Sequence, residues 1–335
     1  MLAFDWATLE HRELLISSTA QATLANIDGV RTASDLATLA QVPVAVMNRF
    51  IADLVEAELV LPDDSQALTP DAIADSFLGA CHSHAHAQQA RSKLGNARAM
   101  VIGVGGVGSW AAQALAMQGI GNLVLVDPDV VDSSNLYRQP LFAARDVGKL
   151  KVEAAADFLR SNHGASVETL PKRIACPDDL DALGTTAVDL VLCCADEPSA
   201  TEVGRLVSSW ASDRGIPSIS GVGYTSASGA LPVTIIPGHN DSVCFECTHA
   251  SATTGELIAR GMGAKPLMTI GALLGQIVAL EAVRVLAGID RPRFLGMQGH
   301  IDVLGLESRQ TRKSPRADCV ACARLRGASV HCPTR

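Results

Sequence analysis

Four glycines within six residues constrain this chain most. Gly103, Gly105, Gly106 and Gly108 follow a short apolar segment at 99–104, typical of a buried strand, and precede a helical pattern at 107–118. Glycines let the backbone turn sharply and approach a phosphate, and the start of the next helix offers free N–H groups. Asp127 ends the following apolar segment, where nucleotide-binding folds place an acid on the ribose hydroxyls. The pattern predicts nucleotide binding without separating a dinucleotide from ATP.

Polar and basic side chains just beyond this second strand favour ATP. Arginine and lysine there can hold a triphosphate and offset the charge that develops on a departing pyrophosphate. A hydride-transferring enzyme has no need of such groups. A solvated charged loop is the alternative, but residues 135–142 mix apolar anchors with polar groups, which disfavours it. The polar and basic set includes Asn135, Arg138, Gln139 and Lys151.

A carboxylate also follows another apolar segment, at 190–194. Asp196 lies just beyond it, in a position suited to a Mg2+ ligand. The alternative role for Asp196 is to cap the helix predicted at 199–210. Cys193 and Cys194 belong to the same predicted buried strand, so we expect them to be small core residues.

Strands and helices alternate from residue 98 onward. This alternation predicts an α/β fold with a Rossmann-like, doubly wound, mostly parallel sheet. A long apolar helix is predicted at 267–287, and the polar residues Gln276, Glu281 and Arg284 within it favour a buried core or dimer-interface helix over a membrane span. The strand patterns lie at 99–104, 123–126, 190–194 and 216–220, and the helical patterns between them at 107–118, 149–160 and 199–210.

Length and charge bound the possible partners. The chain has 335 residues, enough for two domains, and its formal net charge is −8. Nucleic acids and anionic lipids need a basic protein face, so neither is an expected partner. The N-terminus lacks the basic and apolar regions of a signal peptide, and we expect a cytoplasmic protein.

Residues 1–80 differ from the rest and predict a small winged-helix-like domain. Apolar residues recur at helical spacing over 34–61, with Ser34 and Asp35 as caps of a first helix and Pro43 opening a second, and a short wing is expected at 59–64. The second helix carries Arg49 as its only basic residue. DNA-recognition helices are normally basic, so peptide or protein binding, or a plain structural role, is favoured over DNA binding.

Residues 81–97 predict a linker helix between this domain and the nucleotide-binding domain at 98–335. His82, His84 and His86 alternate there, which raises the question of a metal site. Residues two apart lie on different faces of a helix, so an exposed polar helix is favoured over metal binding.

Two Cys-x-x-Cys pairs lie far apart in the sequence, Cys244 with Cys247 and Cys319 with Cys322. In a reducing compartment this pattern predicts a tetrahedral four-cysteine zinc site. Two unrelated pairs of free thiols are the alternative. The odd total of nine cysteines fits poorly with a full set of disulfides.

Together these motifs resemble the ThiF/MoeB-type adenylyltransferases, bacterial relatives of the ubiquitin-activating enzymes. The family patterns G-x-G-G-x-G, V-D-x-D-x-V-x-x-S-N-L-x-R-Q and D-V-G-x-x-K occur at 103–108, 126–139 and 146–151. The two cysteine pairs lie where this family carries structural zinc. The resemblance covers residues 97–322, and it implies a homodimer that joins a carboxylate to the α-phosphate of ATP, giving an acyl adenylate and pyrophosphate.

The resemblance implies a role for each matching residue. The glycine loop would lie near the adenosine and phosphates, and Asp127 would hold the ribose. Asp196 would bind Mg2+, and Asp129 would be a polar partner at the phosphates. No enzyme nucleophile is needed, because positioning, Mg2+ and cations carry such a reaction. The contacts to the triphosphate would come from Asn135, Arg138 and Lys151, with Gln139 in the same nucleotide-binding motif.

Two departures from the family pattern matter. The ubiquitin-type enzymes pass the acyl group to a cysteine, but residues 248–267 contain none, so adenylation alone is expected. The family also has an arginine upstream of the glycine loop that reaches the partner subunit's ATP. Arg12 and Arg91 are the candidates here, and neither matches the pattern well.

The additional N-terminal domain resembles the architecture of the peptide-modifying branch that includes the microcin C adenylyltransferase. The first hypothesis is therefore adenylation of a carboxylate on a ribosomally made precursor peptide that residues 1–80 hold. The alternative is activation of a ubiquitin-like sulfur-carrier protein ending in Gly-Gly. A non-catalytic peptide-presenting module is disfavoured by the triphosphate-binding set, and a DNA-binding regulator by the acidic second helix.

Overall fold

The computed structural model describes residues 2–5, 10–13, 18–27, 31–56, 84–184, 187–224, 228–249, 268–289, 291–303 and 305–327. The chain divides into two compact units, Met1–Ala90 and Arg91–Arg335. The division falls inside a helix at His84–Asn96, within the segment where a linker helix is predicted. The domain limits expected at residues 80 and 97 stay predictions.

The first unit combines a hairpin with short helices. Strands β1 (Leu2–Asp5) and β2 (Glu10–Glu13) pair in antiparallel fashion. Helices α1 (Ser18–Leu24), α2 (Ala33–Ala40) and α3 (Val44–Glu56) follow. The sequence patterns do not predict the hairpin. The expected wing at 59–64 lies outside the described residues.

The predicted pair of helices is present as α2 and α3, and the chain bends by 111° between them. The cap of α2 differs from the expectation. Thr32, rather than Ser34, accepts a hydrogen bond from the Asp35 N–H at 3.2 Å, and the Asp35 carboxylate accepts one from the Thr32 N–H at 2.8 Å. This reciprocal capping box satisfies two donors that would otherwise be free at the start of the helix. Pro43 directly precedes α3, as expected.

The second unit holds two sheets and the helices that cover them. Its strands are β3 (Arg98–Ile102), β4 (Asn122–Val126), β5 (Ser166–Leu170), β6 (Leu190–Cys193), β7 (Ser218–Ser220), β8 (Gly223–Tyr224), β9 (Ser228–Ala230), β10 (Val233–Ile235), β11 (Met297–Asp302) and β12 (Glu307–Arg312). Its helices are α4 (His84–Asn96, which begins in the first unit), α5 (Gly108–Met117), α6 (Lys151–His163), α7 (Pro177–Asp181), α8 (Ala200–Asp213), α9 (Phe245–His249), α10 (Met268–Ala287) and α11 (Val320–Leu325).

The larger sheet has the Rossmann arrangement. Its strand order is β10-β7-β6-β3-β4-β5, in which β7, β6, β3, β4 and β5 are parallel and β10 is antiparallel to β7. The chain runs outward from β3 to β5 and then returns to form β6 on the other side of β3. The strand order therefore reverses between β3 and β6, and a crevice at such a point is where open α/β sheets bind ligands. The predicted doubly wound, mostly parallel sheet is confirmed.

Burial explains which strands could be predicted from the sequence. β3 and β4 each bury four of their five residues, and β6 buries all four, so they read as continuous apolar runs. β5 exposes Ser166 and Glu168, and β12 exposes all six of its residues. These polar strands, together with the antiparallel sheet of order β12-β11-β9-β8, have no apolar signature and were not predicted.

Helix α10 is long and apolar enough to cross a membrane by length and composition, yet it packs inside this unit. Two glycines let it approach the glycine loop and α5. A methyl group on Gly271 would lie 2.6 Å from the backbone oxygen of Gly106, and one on Gly275 would lie 2.5 Å from Trp110 Cβ. The buried Glu281 ties the helix to β10 by accepting from Thr234 Oγ1 at 2.7 Å. Burial inside the unit agrees with the expected core helix, and a place in a dimer interface stays a prediction.

Candidate active site

The glycine loop lies where the strand order reverses, beside the residues that follow β6. Gly103 has a φ of +87°, and a methyl group on it would lie 2.6 Å from the backbone nitrogen of Ala195. A methyl group on Gly108 would lie 1.8 Å from the Gly103 oxygen. Because neither position has room for a Cβ, these two glycines are required for the loop to pass between β3 and α5.

The backbone of this loop forms a natural anion site. Among the described residues, nothing accepts a hydrogen bond from the N–H groups of Gly105, Gly106, Val107 or Gly108. These groups lie at the start of α5, which is ten residues long, and the partial positive charge of a helix N-terminus favours a phosphate there. Among the described residues, no atom lies within 4 Å of the place that a Cβ on Gly105 would take, so a ligand can reach the loop backbone.

Asp127 lies at the carboxyl end of β4 and is only 5% exposed. Its carboxylate accepts from the Val104 N–H at 2.7 Å and from the Asp129 N–H at 2.9 Å. Burial raises the pKa of Asp127, while the charge of Lys151 and these two N–H groups act in the opposite direction. Each carboxylate oxygen keeps a lone pair, so the group can still accept from a ribose hydroxyl.

Lys151 and Asp129 form an ion pair at the mouth of the crevice. Lys151 Nζ lies 2.8 Å from Asp129 Oδ2, and the lysine side chain is 9% exposed. Arg173 approaches the same carboxylate at 3.8 Å and pairs with Glu197. The sequence patterns did not identify Arg173 or Glu197. Arg173 follows β5, a strand that was not predicted. A correct prediction of β5 would have placed Arg173 at the carboxyl edge of the sheet.

The segment after β4 is held by its own polar groups. Asn135, 8% exposed, accepts from the Asp132 N–H at 3.0 Å. Arg138 donates to the Ser134 oxygen at 2.7 Å, and its own carbonyl accepts from the Trp110 indole at 3.1 Å, which anchors the segment to α5. Gln139 is 3% exposed, and among the described residues nothing donates to its Oε1. A buried amide oxygen without a donor is costly and fits a site that a polar ligand completes.

Asp196 is exposed just after β6. It does not cap the next helix, because Ser199 is the N-cap of α8 and accepts from the Glu202 N–H at 3.1 Å. The alternative role considered for Asp196 is therefore wrong. Asp196 and Arg138 both act on the pKa of Tyr224, Arg138 lowering it and Asp196 raising it. Tyr224 itself was not identified from the sequence, because no charge or glycine spacing marks it.

The four predicted zinc ligands come together in space. Each of Cys244, Cys247, Cys319 and Cys322 offers its Sγ within 4.8 Å of the other three. Sulfurs held tetrahedrally at ~2.3 Å from one ion are about 3.8 Å apart, and the Sγ atoms of Cys244 and Cys319 are 3.6 Å apart. The Arg316 N–H donates to the sulfur of Cys247 at 3.4 Å. The donor set and spacing fit Zn2+, and the thiols are free rather than disulfide-bonded.

The remaining cysteines near the crevice are core residues, as expected. Cys193 is 2% exposed, and burial raises the pKa of its thiol to about 12. Cys194 is partly buried and packs near Gly108. Neither thiol is a nucleophile at neutral pH. Arg12 lies on β2 and Arg91 on α4, and a role for either at a partner subunit's ATP stays a prediction.

Comparisons with known proteins show which family this chain resembles. A model of the ThiF family matches residues 82–321. The adenylyltransferase and sulfurtransferase UBA4 of Eremothecium gossypii is 36% identical over 199 residues, 59% of this chain and 43% of that protein. The molybdopterin-synthase adenylyltransferase of Escherichia coli is 29% identical over 231 residues, 68% of this chain and 88% of that protein. This chain therefore spans less than half of the UBA4 protein and most of the Escherichia coli one.

Solved structures share the fold along nearly the whole chain. Escherichia coli MccB with MccA-N7isoASN has a TM-score of 0.75 at 19% identity, covering 93% of this chain and 92% of that one. PaaA has a TM-score of 0.71 at 24% identity, covering 89% and 90%.

The sequence relatives favour the carrier-protein alternative over the peptide hypothesis. They are named adenylyltransferases, which confirms the expected class of enzyme for the family. Since the family model covers most of the second unit and the motifs fall on the crevice, the chain belongs to the ThiF family.

Proposed function

We propose that this protein adenylates a carboxylate with ATP. The carboxylate oxygen attacks the α-phosphorus, the bond from that phosphorus to the bridging oxygen of the β-phosphate breaks, and pyrophosphate leaves with the electron pair. The observation that carries the proposal is the meeting of unbonded loop amides, Asp127 and Lys151 at the carboxyl edge of the sheet. No side-chain nucleophile takes part, which agrees with the inert Cys193.

The roles follow from charge and position. The loop amides from Gly105 to Gly108 hold a phosphate, and Asp127 accepts from the ribose. Arg138 and Lys151 offset negative charge on the leaving pyrophosphate. Asn135 and Gln139 support the same segment, and the free oxygen of Gln139 accepts from the ligand.

Asp196 would hold Mg2+, and Asp129 would be a polar partner close to the phosphates. A carboxylate is a ligand that Mg2+ prefers, and the ion would supply charge neutralisation at the phosphates. Asp196 is exposed beside Arg138 and Tyr224, which suits a carboxylate that meets a metal–nucleotide complex arriving from solvent.

The favoured substrate is the C-terminal carboxylate of a small ubiquitin-like carrier protein ending in Gly-Gly. The supporting observation is the likeness to the molybdopterin-synthase adenylyltransferase, which extends over 88% of that protein. As part of the same proposal, the protein forms a homodimer and is located in the cytoplasm.

A precursor peptide is the second candidate. The likeness to MccB, a fold solved with MccA-N7isoASN, covers 93% of this chain and so reaches into the first unit. Leu39, Val44 and Val46 are exposed apolar side chains on α2 and α3, which suits peptide binding by that unit. Under this proposal residues 1–80 hold the peptide.

Exchange of labelled pyrophosphate into ATP separates the two substrates. The full chain is assayed with a Gly-Gly carrier protein and with a short precursor peptide, each with a free and an amidated C-terminus. Exchange with the free carrier alone supports the favoured substrate. Exchange with the peptide, reduced by Val46→Asp, supports the second candidate. No exchange with any carboxylate overturns the proposed reaction.

We also propose that the four-cysteine cluster binds a structural Zn2+. Cys244 and Cys247 lie at or within α9, while Cys319 and Cys322 lie at the start of α11. One ion would therefore join two segments that are distant in sequence, and binding free energy would become folding free energy.

A further inference from the structure

Tyr224 lies on the glycine loop. A methyl group on Gly106 would meet Tyr224 Oη at 2.0 Å and its Cζ at 3.2 Å. The hydroxyl therefore lies against the backbone of Gly106. Gly103 and Gly108 meet neighbouring backbone atoms first, and Gly105 meets nothing. A polar side-chain atom thus faces the anion site at Gly106.

The backbone that carries Tyr224 is held in place. Gly221 has a φ of +77°, and a methyl group on it would lie 3.2 Å from the Phe245 ring and 3.4 Å from the His249 ring. Gly223 faces Ala200 of α8 at 3.6 Å. The turn before Tyr224 is packed between α8 and α9, so the fold fixes the backbone from which the Tyr224 side chain extends.

Two groups assigned to the reaction interact with Tyr224, and Tyr137 does so as well. Its hydroxyl interacts with the Arg138 guanidinium and lies in the field of the Asp196 carboxylate. Burial raises the pKa of Tyr224, with Arg138 acting in the opposite direction, so the phenol keeps its proton at neutral pH. A guanidinium only donates, so a hydrogen bond from Arg138 would use the hydroxyl oxygen as its acceptor, and the phenol hydrogen could still bond to a ligand oxygen.

We propose that Tyr224 is a further catalytic residue, whose hydroxyl donates a hydrogen bond to a non-bridging oxygen of the α-phosphoryl group during adenylation. This inference rests on the proposed function. The phenol O–H bond stays intact throughout. Its hydrogen bond strengthens as the carboxylate oxygen adds to phosphorus, because negative charge then builds on the non-bridging oxygens beside the loop amides.

The rate test removes only the hydroxyl. Tyr224→Phe is expected to lower the kcat of pyrophosphate exchange by about 10- to 100-fold, the loss typical of a hydrogen bond to a charged group. The dissociation constant for ATP, from calorimetry, is expected to stay within about threefold, since the bond is strongest in the transition state. An unchanged kcat, or an equal loss in kcat and ATP affinity, would overturn the proposal.

The chain supplies a matched control and a second readout, because it has only two tyrosines. Tyr137 is 46% exposed, and Tyr137→Phe keeps the ring that lies under Arg138 at 5.1 Å. This variant is expected to keep the exchange rate. With 3-fluorotyrosine labelling, the full chain gives two fluorine resonances, and Tyr137→Phe assigns them.

Saturating AMP is expected to shift the Tyr224 resonance, whereas adenosine leaves it in place. No shift with AMP, or an equal shift with adenosine, would overturn the contact with the α-phosphoryl group even if Tyr224→Phe folds poorly. The two proposals fail separately. If the wild-type chain shows no exchange with any carboxylate but AMP shifts the resonance, the reaction is wrong and the phosphate contact stands.

Discussion

Lys151 Nζ lies 2.8 Å from Asp129 Oδ2, and this ion pair fixes the position of the lysine that we expect to contact the phosphates of ATP. The lysine is nearly buried, while Asp129 is half exposed and also faces Arg173. The lysine is therefore placed at the crevice by a carboxylate, and the negative phosphates of ATP would compete for the same ammonium group.

Replacing Lys151 should weaken ATP binding. Lys151→Ala is expected to raise the dissociation constant for ATP by about 10- to 100-fold, because a charge-assisted hydrogen bond to phosphate is lost. Calorimetry on the purified full chain measures this. The matched control is Lys149→Ala, whose side chain is 50% exposed and pairs with Asp146 at 2.9 Å. Equal ATP affinity in the two variants would remove Lys151 from the site.

Asp196→Asn should abolish the reaction while leaving the fold intact. The exchange rate is expected to fall by about 100-fold or more, because charge neutralisation by Mg2+ supplies several kcal/mol. The melting temperature should stay within about 2 °C, since the side chain is exposed. Asp213→Asn, an exposed carboxylate at the end of α8, serves as the control. Wild-type dependence on Mg2+ in the Asp196 variant would contradict the assigned role.

Adenosine binding should depend on pH through Asp127. Burial raises the pKa of this carboxyl, so it takes up a proton at a higher pH than an exposed aspartate. The neutral acid accepts less strongly from ribose hydroxyls, so wild-type affinity should fall as the pH drops from 7 toward that raised pKa. Asp127→Asn should bind adenosine about tenfold more weakly at pH 7 and show little further change. Equal pH dependence in both proteins, measured by calorimetry, would contradict this assignment.

The same raised pKa has an opposite effect on folding. Ionised Asp127 costs folding free energy at neutral pH, because the native state disfavours the charged form more than the unfolded chain does. That cost disappears below the unfolded-state pKa and returns as the pH rises through the folded-state value.

Loss of a cluster cysteine should destabilise the second unit. Cys244→Ser and Cys319→Ser are expected to lose bound zinc, measured by elemental analysis, and to lower the melting temperature by about 6–12 °C, which corresponds to about 3 kcal/mol. Cys176→Ser is the control, because this exposed thiol lies outside the cluster. A full complement of zinc in Cys244→Ser, or a metal-free protein of unchanged stability, would contradict a structural zinc site.

The strands that carry the candidate nucleotide site could be predicted from the sequence because they are buried on both faces. β3, β4 and β6 are nearly all apolar, and the glycine loop and Asp127 mark where they end. The spacing of the cysteines, supported by the family resemblance, predicted the four-cysteine cluster. The polar strands β5 and β12 were not, because a strand with exposed side chains has no apolar run.

The positions of some site residues depend on tertiary packing, and no sequence motif marks them. Arg173 depends on the position of β5, and Tyr224 on a turn that is packed between two helices. Neither has a sequence pattern of its own. The cap of α2 shows the same limit at short range, since Ser34 and Thr32 are both good caps and only the backbone geometry selects Thr32.

The contact between Gly271 and the oxygen of Gly106 joins two places that are far apart in the sequence. Any side chain at position 271 would push a helix of 20 residues against the loop, since even a methyl group would approach that oxygen to 2.6 Å. The shape of the phosphate loop is therefore encoded partly by a residue that no glycine-loop motif contains. Anyone grafting this loop onto another sheet would have to transfer Gly271 and its helix along with it.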